Sequence, residues 1–223
     1  MLQPNTLHFL EQLALNNAKE WFDANRKTYE QAKLNFLQLT QQVLQGIAHI
    51  DASVAHLQAK ECVFRINRDV RFSQNKAPYK TNMGMSIAKG GKKGISAGYY
   101  FHLQPGNQSF VGGGLYMAMP EEIKKVRQEI DYCFTDWQAI IQAPPFVQTY
   151  GKVYTGADVS LVRPPKGYEP THPAIEYLKL KSWIATQPIS DEVLLQATLP
   201  QTIVQAFAAL QPMVQFLNNA LEQ

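Results

Sequence analysis

The sequence predicts an α+β fold, an antiparallel sheet of sequential hairpins flanked by N-terminal and C-terminal helices. Apolar residues alternate with period two through the middle third of the chain and recur at helical spacing on either side of it. Strands built as consecutive hairpins, with helices gathered at both ends, argue against an alternating parallel architecture.

Thr6 is positioned to cap a short opening helix carrying Leu7, Leu10 and Leu13, and the chain is expected to reverse at Asn16-Asn17. Asn17 and Glu20 then have the spacing of a capping box. Trp21, Tyr29, Ala32, Phe36, Leu39, Val43 and Ile47 follow as one stripe, which predicts a single long helix to about Gly46. From Cys62 the period changes: Phe64, Ile66, Val70 and Phe72 share one parity, as do Met83, Met85 and Ile87, and Tyr99, Phe101 and Leu103. Lys89-Gly90-Gly91-Lys92-Lys93-Gly94 and Pro105-Gly106-Asn107 mark the turns.

Helical spacing returns after Pro120 through Ile123, Val126, Ile130, Phe134 and Trp137 and ends before Pro144-Pro145. Residues 153–162 are expected to add a strand. Thr171 and Pro173 begin a helix through Ile175 and Leu178, and Ser190 caps a short one. Pro200 opens a last helix striped by Ile203, Phe207, Leu210, Val214, Leu217 and Leu221, which Pro212 is expected to kink or break.

A chain of 223 residues buries roughly 70% of its unfolded surface, so its core needs neither disulfide nor metal. One domain over residues 1–223 is expected, since no linker-like stretch divides the chain. Cys62 and Cys133 sit among apolar neighbours, as thiols of a reducing compartment do. With no basic-then-apolar start and no apolar run of ~18 residues, a cytoplasmic protein without membrane contact is expected.

Net charge is +3, yet residues 60–93 hold nine Lys and Arg against Glu61 and Asp69, leaving twelve basic and sixteen acidic residues elsewhere. Such concentration points to an anionic partner. Its centre is Phe64-Arg65-Ile66-Asn67-Arg68-Asp69-Val70-Arg71-Phe72-Ser73-Gln74-Asn75-Lys76-Ala77-Pro78-Tyr79-Lys80-Thr81. A straight strand puts Arg65, Asn67, Asp69 and Arg71 on one face and drives Arg68 among the apolar residues of the other. There Arg68 requires a carboxylate, backbone carbonyls or a bound anion. Arg65 and Arg71 would stand about 20 Å apart along such a strand, so clamping one anion requires a bend, which Asn67 and Asp69 favour.

Asp69, among guanidinium groups, is expected to be ionised and to orient an arginine, a poor arrangement for a general base. Lys76, Tyr79 and Lys80 lie in a loop stiffened by Pro78 that is able to close over a ligand.

This run, with Asn17-Ala18-Lys19-Glu20-Trp21-Phe22, Gly112-Gly113-Gly114-Leu115-Tyr116 and Leu161-Val162-Arg163-Pro164-Pro165-Lys166-Gly167-Tyr168, resembles the family called domain of unknown function 2461. The resemblance extends over nearly the whole chain. It implies a bacterial and fungal protein type without an established activity, and it supplies no catalytic residues.

Three readings of the basic run stay open: structural ion pairs, a site for a phosphate- or carboxylate-bearing small molecule formed by Arg65, Asn67, Arg68, Asp69, Arg71, Lys76, Tyr79 and Lys80, or a nucleic-acid surface extended by Lys89, Lys92 and Lys93. Gly112-Gly113-Gly114 lacks the spacing of a phosphate-binding loop and reads as a bulge or close contact. His102 reads as a half-buried, hydrogen-bonded residue, with no nucleophile motif beside it. His8, His49, His56 and His172 lack ligand spacing, so neither a metal nor a cofactor is expected. Tyr100 faces away from Tyr99 and Phe101, which read as core. Arg163, Lys166 and Tyr168 read as a secondary extension of the basic surface.

Overall fold

The computed structural model describes residues 1–222, the side chain of Lys93 excepted. Helix α1 (Pro4–Leu15) begins two residues before Thr6, because a proline at the first position loses only an N–H that had no helical partner. Thr6 lies inside the helix and donates its hydroxyl to Asn35 Oδ1 at 2.9 Å. The predicted long helix is two, α2 (Lys19–Ala24) and α3 (Arg26–Ala48). The break falls at Asn25, whose side-chain amide donates to the Trp21 carbonyl at 2.9 Å and so competes with helical hydrogen bonding. Beyond it Ala32, Phe36, Leu39, Val43 and Ile47 are buried as their spacing requires.

Helix α4 (Ala59–Cys62) carries a Gln58/Glu61 capping box, so Cys62 ends a helix where a strand start was expected. The segment after it is not a strand. It makes only the isolated bridges Val63 to Met85 and Asn67 to Tyr79. Phe72, assigned to the buried parity, is 96% exposed.

Strands β1 (Met83–Ala88), β2 (Gly98–Leu103) and β3 (Ser109–Leu115) follow as consecutive hairpins. In β2 the buried Tyr99, Phe101 and Leu103 alternate with half-buried Tyr100 and His102. The β2–β3 turn uses positive φ at Gly106 and Asn107, as its composition predicts.

The stripe after Pro120 forms α5 (Pro120–Tyr132) and α6 (Phe134–Ile141), divided at Cys133. Pro144-Pro145, read as a stop, opens α7 (Pro144–Tyr150). Residues 153–162 form no strand; Tyr154 N–H donates to Ile184 O at 2.8 Å and Ser160 makes one bridge to Leu180. The helix expected at Thr171 starts later, as α8 (Ile175–Leu178).

The fourth strand is β4 (Trp183–Ile189), whose exposed Thr186, Gln187 and Pro188 precede buried Ile189 and break the alternation, so it reads poorly as a strand in sequence. A proline is tolerated there because β4 is an edge of the antiparallel sheet, whose order is β1-β2-β3-β4. Ser190 caps α9 (Asp191–Leu194), accepting from Val193 N–H. Helix α10 (Leu199–Glu222) runs through Pro212 without ending. Leu210, Met213, Val214 and Leu217 are buried around that proline, so packing outweighs its lost hydrogen bond.

The chain forms two compact units, each drawn from three stretches. The first comprises Met1–Ile87, Tyr100–Val111 and Pro188–Gln205. Its core includes Phe36 stacked near Phe101, with Phe9 and Phe22 around Tyr29. The second comprises Ala88–Tyr99, Gly112–Gln187 and Ala206–Gln223, although residue 223 lies outside the described range. Its core joins Tyr99 to Phe207 and Trp137 to Phe216, and buried Tyr150 donates its hydroxyl to Ala206 O at 2.7 Å. No helix among the described residues is long and apolar enough to cross a membrane.

Candidate functional site

The basic segment, residues 63–82, belongs wholly to the first unit and is held as an irregular loop. Arg68 N–H donates to Pro78 O at 2.9 Å and Lys80 N–H to Ile66 O at 2.8 Å, which closes the loop on itself. Asn17 then clamps it. Its carboxamide donates to Tyr79 O at 3.0 Å and accepts from Tyr79 N–H at 3.1 Å, pairing with the backbone as a neighbouring strand does. The Tyr79 ring is buried against Phe22, centroids 4.0 Å apart and nearly parallel. Asn17 is therefore a loop anchor, and the capping role its spacing suggested is absent: α2 has Ala18 at its cap position.

Within the loop most cations are occupied. The Arg68 guanidinium donates to Ala77 O at 3.0 Å and to Ser73 Oγ at 3.3 Å, so backbone carbonyl and hydroxyl meet its need for acceptors. Asp69 receives both Nε (3.0 Å) and Nη2 (2.6 Å) of Arg71, and this hydrogen bonding holds its carboxyl below the usual carboxylate range. Lys76 Nζ donates to Val70 O at 3.1 Å. Asn67 is exposed and stands opposite Tyr79 in an antiparallel bridge closed by the Arg68–Pro78 and Lys80–Ile66 hydrogen bonds.

Arg65 and Lys80 differ. Among the described residues neither is bonded to a carboxylate: Asp69 feels the Arg65 charge but is taken by Arg71. Lys80 is half-buried with Nζ 5.4 Å from the centre of the Phe64 ring, and burial, then the Arg65 charge, pushes its ammonium below the usual lysine range.

Beside them lies a group that the sequence reading treated as separate residues, on the half-exposed face of the sheet. Tyr100 Oη is 3.1 Å from His102 Nδ1, and His102 Nε2 is 3.0 Å from Gln104 Oε1. With Nε2 taken as the donor to Gln104 Oε1, which only accepts, Nδ1 is left to accept from the Tyr100 hydroxyl. Asn82 Nδ2 lies within 3.2 Å of both ring nitrogens, and Phe110 stacks on the imidazole at 4.8 Å. The signal was the polar parity of β2, Tyr100, His102 and Gln104 at successive second positions. What hid it was that Asn82 comes from the loop just before β1 and Phe110 from β3.

Burial holds the His102 imidazole below its ordinary range, although its hydrogen bond to Gln104 opposes this. The unfolded state, with a histidine near ~6.5, then binds a proton before the folded state does. The contribution of His102 to stability is thus full above about pH 6.5 and is lost as pH falls below it. His102→Gln is expected to flatten that part of the stability-against-pH curve in urea unfolding; an unchanged slope counts against the burial.

The remaining sequence candidates lie elsewhere. Lys89 bonds Glu222, Lys92 is engaged within the fold, and the Lys93 side chain lies outside the described residues. Arg163 and Lys166 are exposed in the second unit, where Tyr168 is half-buried. Gly112, Gly113 and Gly114 are points of close backbone approach: an added Cβ would stand 2.1, 2.1 and 2.0 Å from the carbonyl oxygens of Ala185, Gly98 and Trp183.

Helices flanking an antiparallel sheet, with a clamped basic loop beside its polar face, define the class as an α+β protein. The chain belongs to the family described as Conserved hypothetical protein (DUF2461), whose model matches residues 5–216. No curated protein and no solved structure matches it.

Proposed function

We propose that the protein recognises a phosphate- or carboxylate-bearing small molecule, as a binding protein or as the binding step of an enzyme, and that Arg65 and Lys80 receive the anion. One observation supports this reading most: among the described residues, the neighbouring cations Arg65 and Lys80 have no bonded carboxylate, while Arg68, Arg71 and Lys76 in the same loop have internal acceptors. Like charges held together raise each other's cost, and Lys80 has also given up part of its hydration. A bound anion relieves both. A cytoplasmic setting belongs to the same reading, since neither Cys62 nor Cys133 forms a disulfide.

Phosphate or sulfate is expected to raise the melting temperature, since a ligand bound only to the folded state stabilises by about 2.7 kcal/mol at a hundredfold excess over Kd. The double variant Arg65→Met/Lys80→Met should lose the shift and keep its fold. Arg68→Met, by removing a loop cross-link, is expected to lower stability by about 1–3 kcal/mol while retaining the shift. No shift with the native protein, or a shift that survives the double variant, overturns the proposal. Oligonucleotide binding that falls steeply with salt would instead favour a nucleic-acid surface.

A further inference from the structure

We infer that the ligand carries a planar ring beside its anion, and that this ring lies on the aromatic surface formed by Phe64, Tyr100 and Phe110 around His102. The inference rests on the anion reading of Arg65 and Lys80, and all of these residues belong to the first unit.

The rings form one continuous surface. Phe64 meets Tyr100 edge-on at 6.3 Å, Tyr100 lies 5.7 Å from Phe110, and Phe110 stacks on His102 at 4.8 Å. None of the four is in the buried core, and Phe64 is 37% exposed. Exposed aromatic surface in contact with cations is the combination that seats aromatic anions: the ring stacks, and the charge is met at the edge.

The surface is also pre-set. Gly84 leaves the room that the Tyr100 phenol occupies, since a Cβ there would come 2.7 Å from Oη and 3.2 Å from Cε2. Laid across β1, the phenol is fixed at its far end by His102, which Gln104 orients in turn. A ligand ring therefore meets side chains that have little freedom left to lose. Phe64 supplies the join between the two halves, because the Lys80 ammonium lies over it and Tyr100 abuts its edge. Asn82, whose amide nitrogen faces His102, adds a carboxamide edge for a heteroatom of the ring.

The test compares two matched pairs by titration calorimetry at one salt concentration: adenosine 5′-monophosphate against ribose 5-phosphate, and benzoate against acetate. The ring-bearing member of at least one pair is expected to bind tenfold or more tightly than its ringless partner. Phe110→Leu, which removes the ring that meets Tyr100 and stacks on His102, should abolish the preference while leaving inorganic phosphate binding at Arg65 and Lys80 intact. In the native protein the favoured ligand should also move the His102 ring signals by NMR, and the ringless one should not. Equal affinities within both pairs overturn the inference while leaving the anion reading standing. If inorganic phosphate and all four compounds fail to bind, both fall.

Discussion

Gly114→Ala is expected to cost more than about 4 kcal/mol and to leave little folded protein. Gly114 has φ +117°, which alanine adopts only under strain, and its Cβ would stand 2.0 Å from the Trp183 carbonyl oxygen and 2.9 Å from Met213 Cε. The methionine end can swing away. The carbonyl cannot, because it belongs to the backbone of β4 beside β3, and moving it disrupts the pairing that closes the sheet. Gly106→Ala is the control. Its φ of +81° is also unfavourable, but the nearest heavy atom to the new Cβ is Gln108 Nε2 at 3.6 Å, so only the backbone term of about 1–2 kcal/mol remains. Denaturant unfolding of the two variants separates overlap from strain. A loss below about 1 kcal/mol at Gly114 would show that the strands separate more easily than their spacing implies.

The architecture was legible because burial acts locally on pattern. Tyr99, Phe101 and Leu103 turn inward by period two, and Phe36, Leu39, Val43 and Ile47 by helical period. The breaks were illegible because each rests on one side chain competing for backbone: Asn25 takes a carbonyl inside a continuous apolar stripe, while Pro212 sits in a helix that its buried neighbours keep intact.

The basic run misled in another way. Its alternation resembles a strand, but with Asn17 supplying the backbone pairing for Tyr79 from sixty-two positions away, the intervening loop needs no ladder of its own. Charge density singles out the loop, yet spacing along the chain does not separate Arg68, which meets Ala77 O, from Arg65, which bonds no carboxylate among the described residues. The adjoining aromatic face was missed for the same reason. Phe64, Asn82, Tyr100 and Phe110 are brought together by pairing between strands and by the loop, and spacing along one strand records neither.

The two sides of β2 make the division between fold and site testable. Phe101→Ala is expected to cost about 3–5 kcal/mol, since Phe101 is fully buried near Phe36 and its loss leaves a cavity. Tyr100→Phe, one residue earlier, removes only a hydroxyl on the half-buried face and is expected to cost no more than about 1 kcal/mol. Its effect should appear at His102 instead: Nδ1 loses the Tyr100 hydroxyl and keeps only the Asn82 amide beside it, and its nitrogen resonance should shift while backbone amides of the core stay in place. Equal destabilisation by both substitutions would make the Tyr100–His102 pair part of the core. A silent His102 resonance in Tyr100→Phe would mean that the hydroxyl does not set the imidazole, and that the surface beside Lys80 is less fixed than the contacts across Gly84 require.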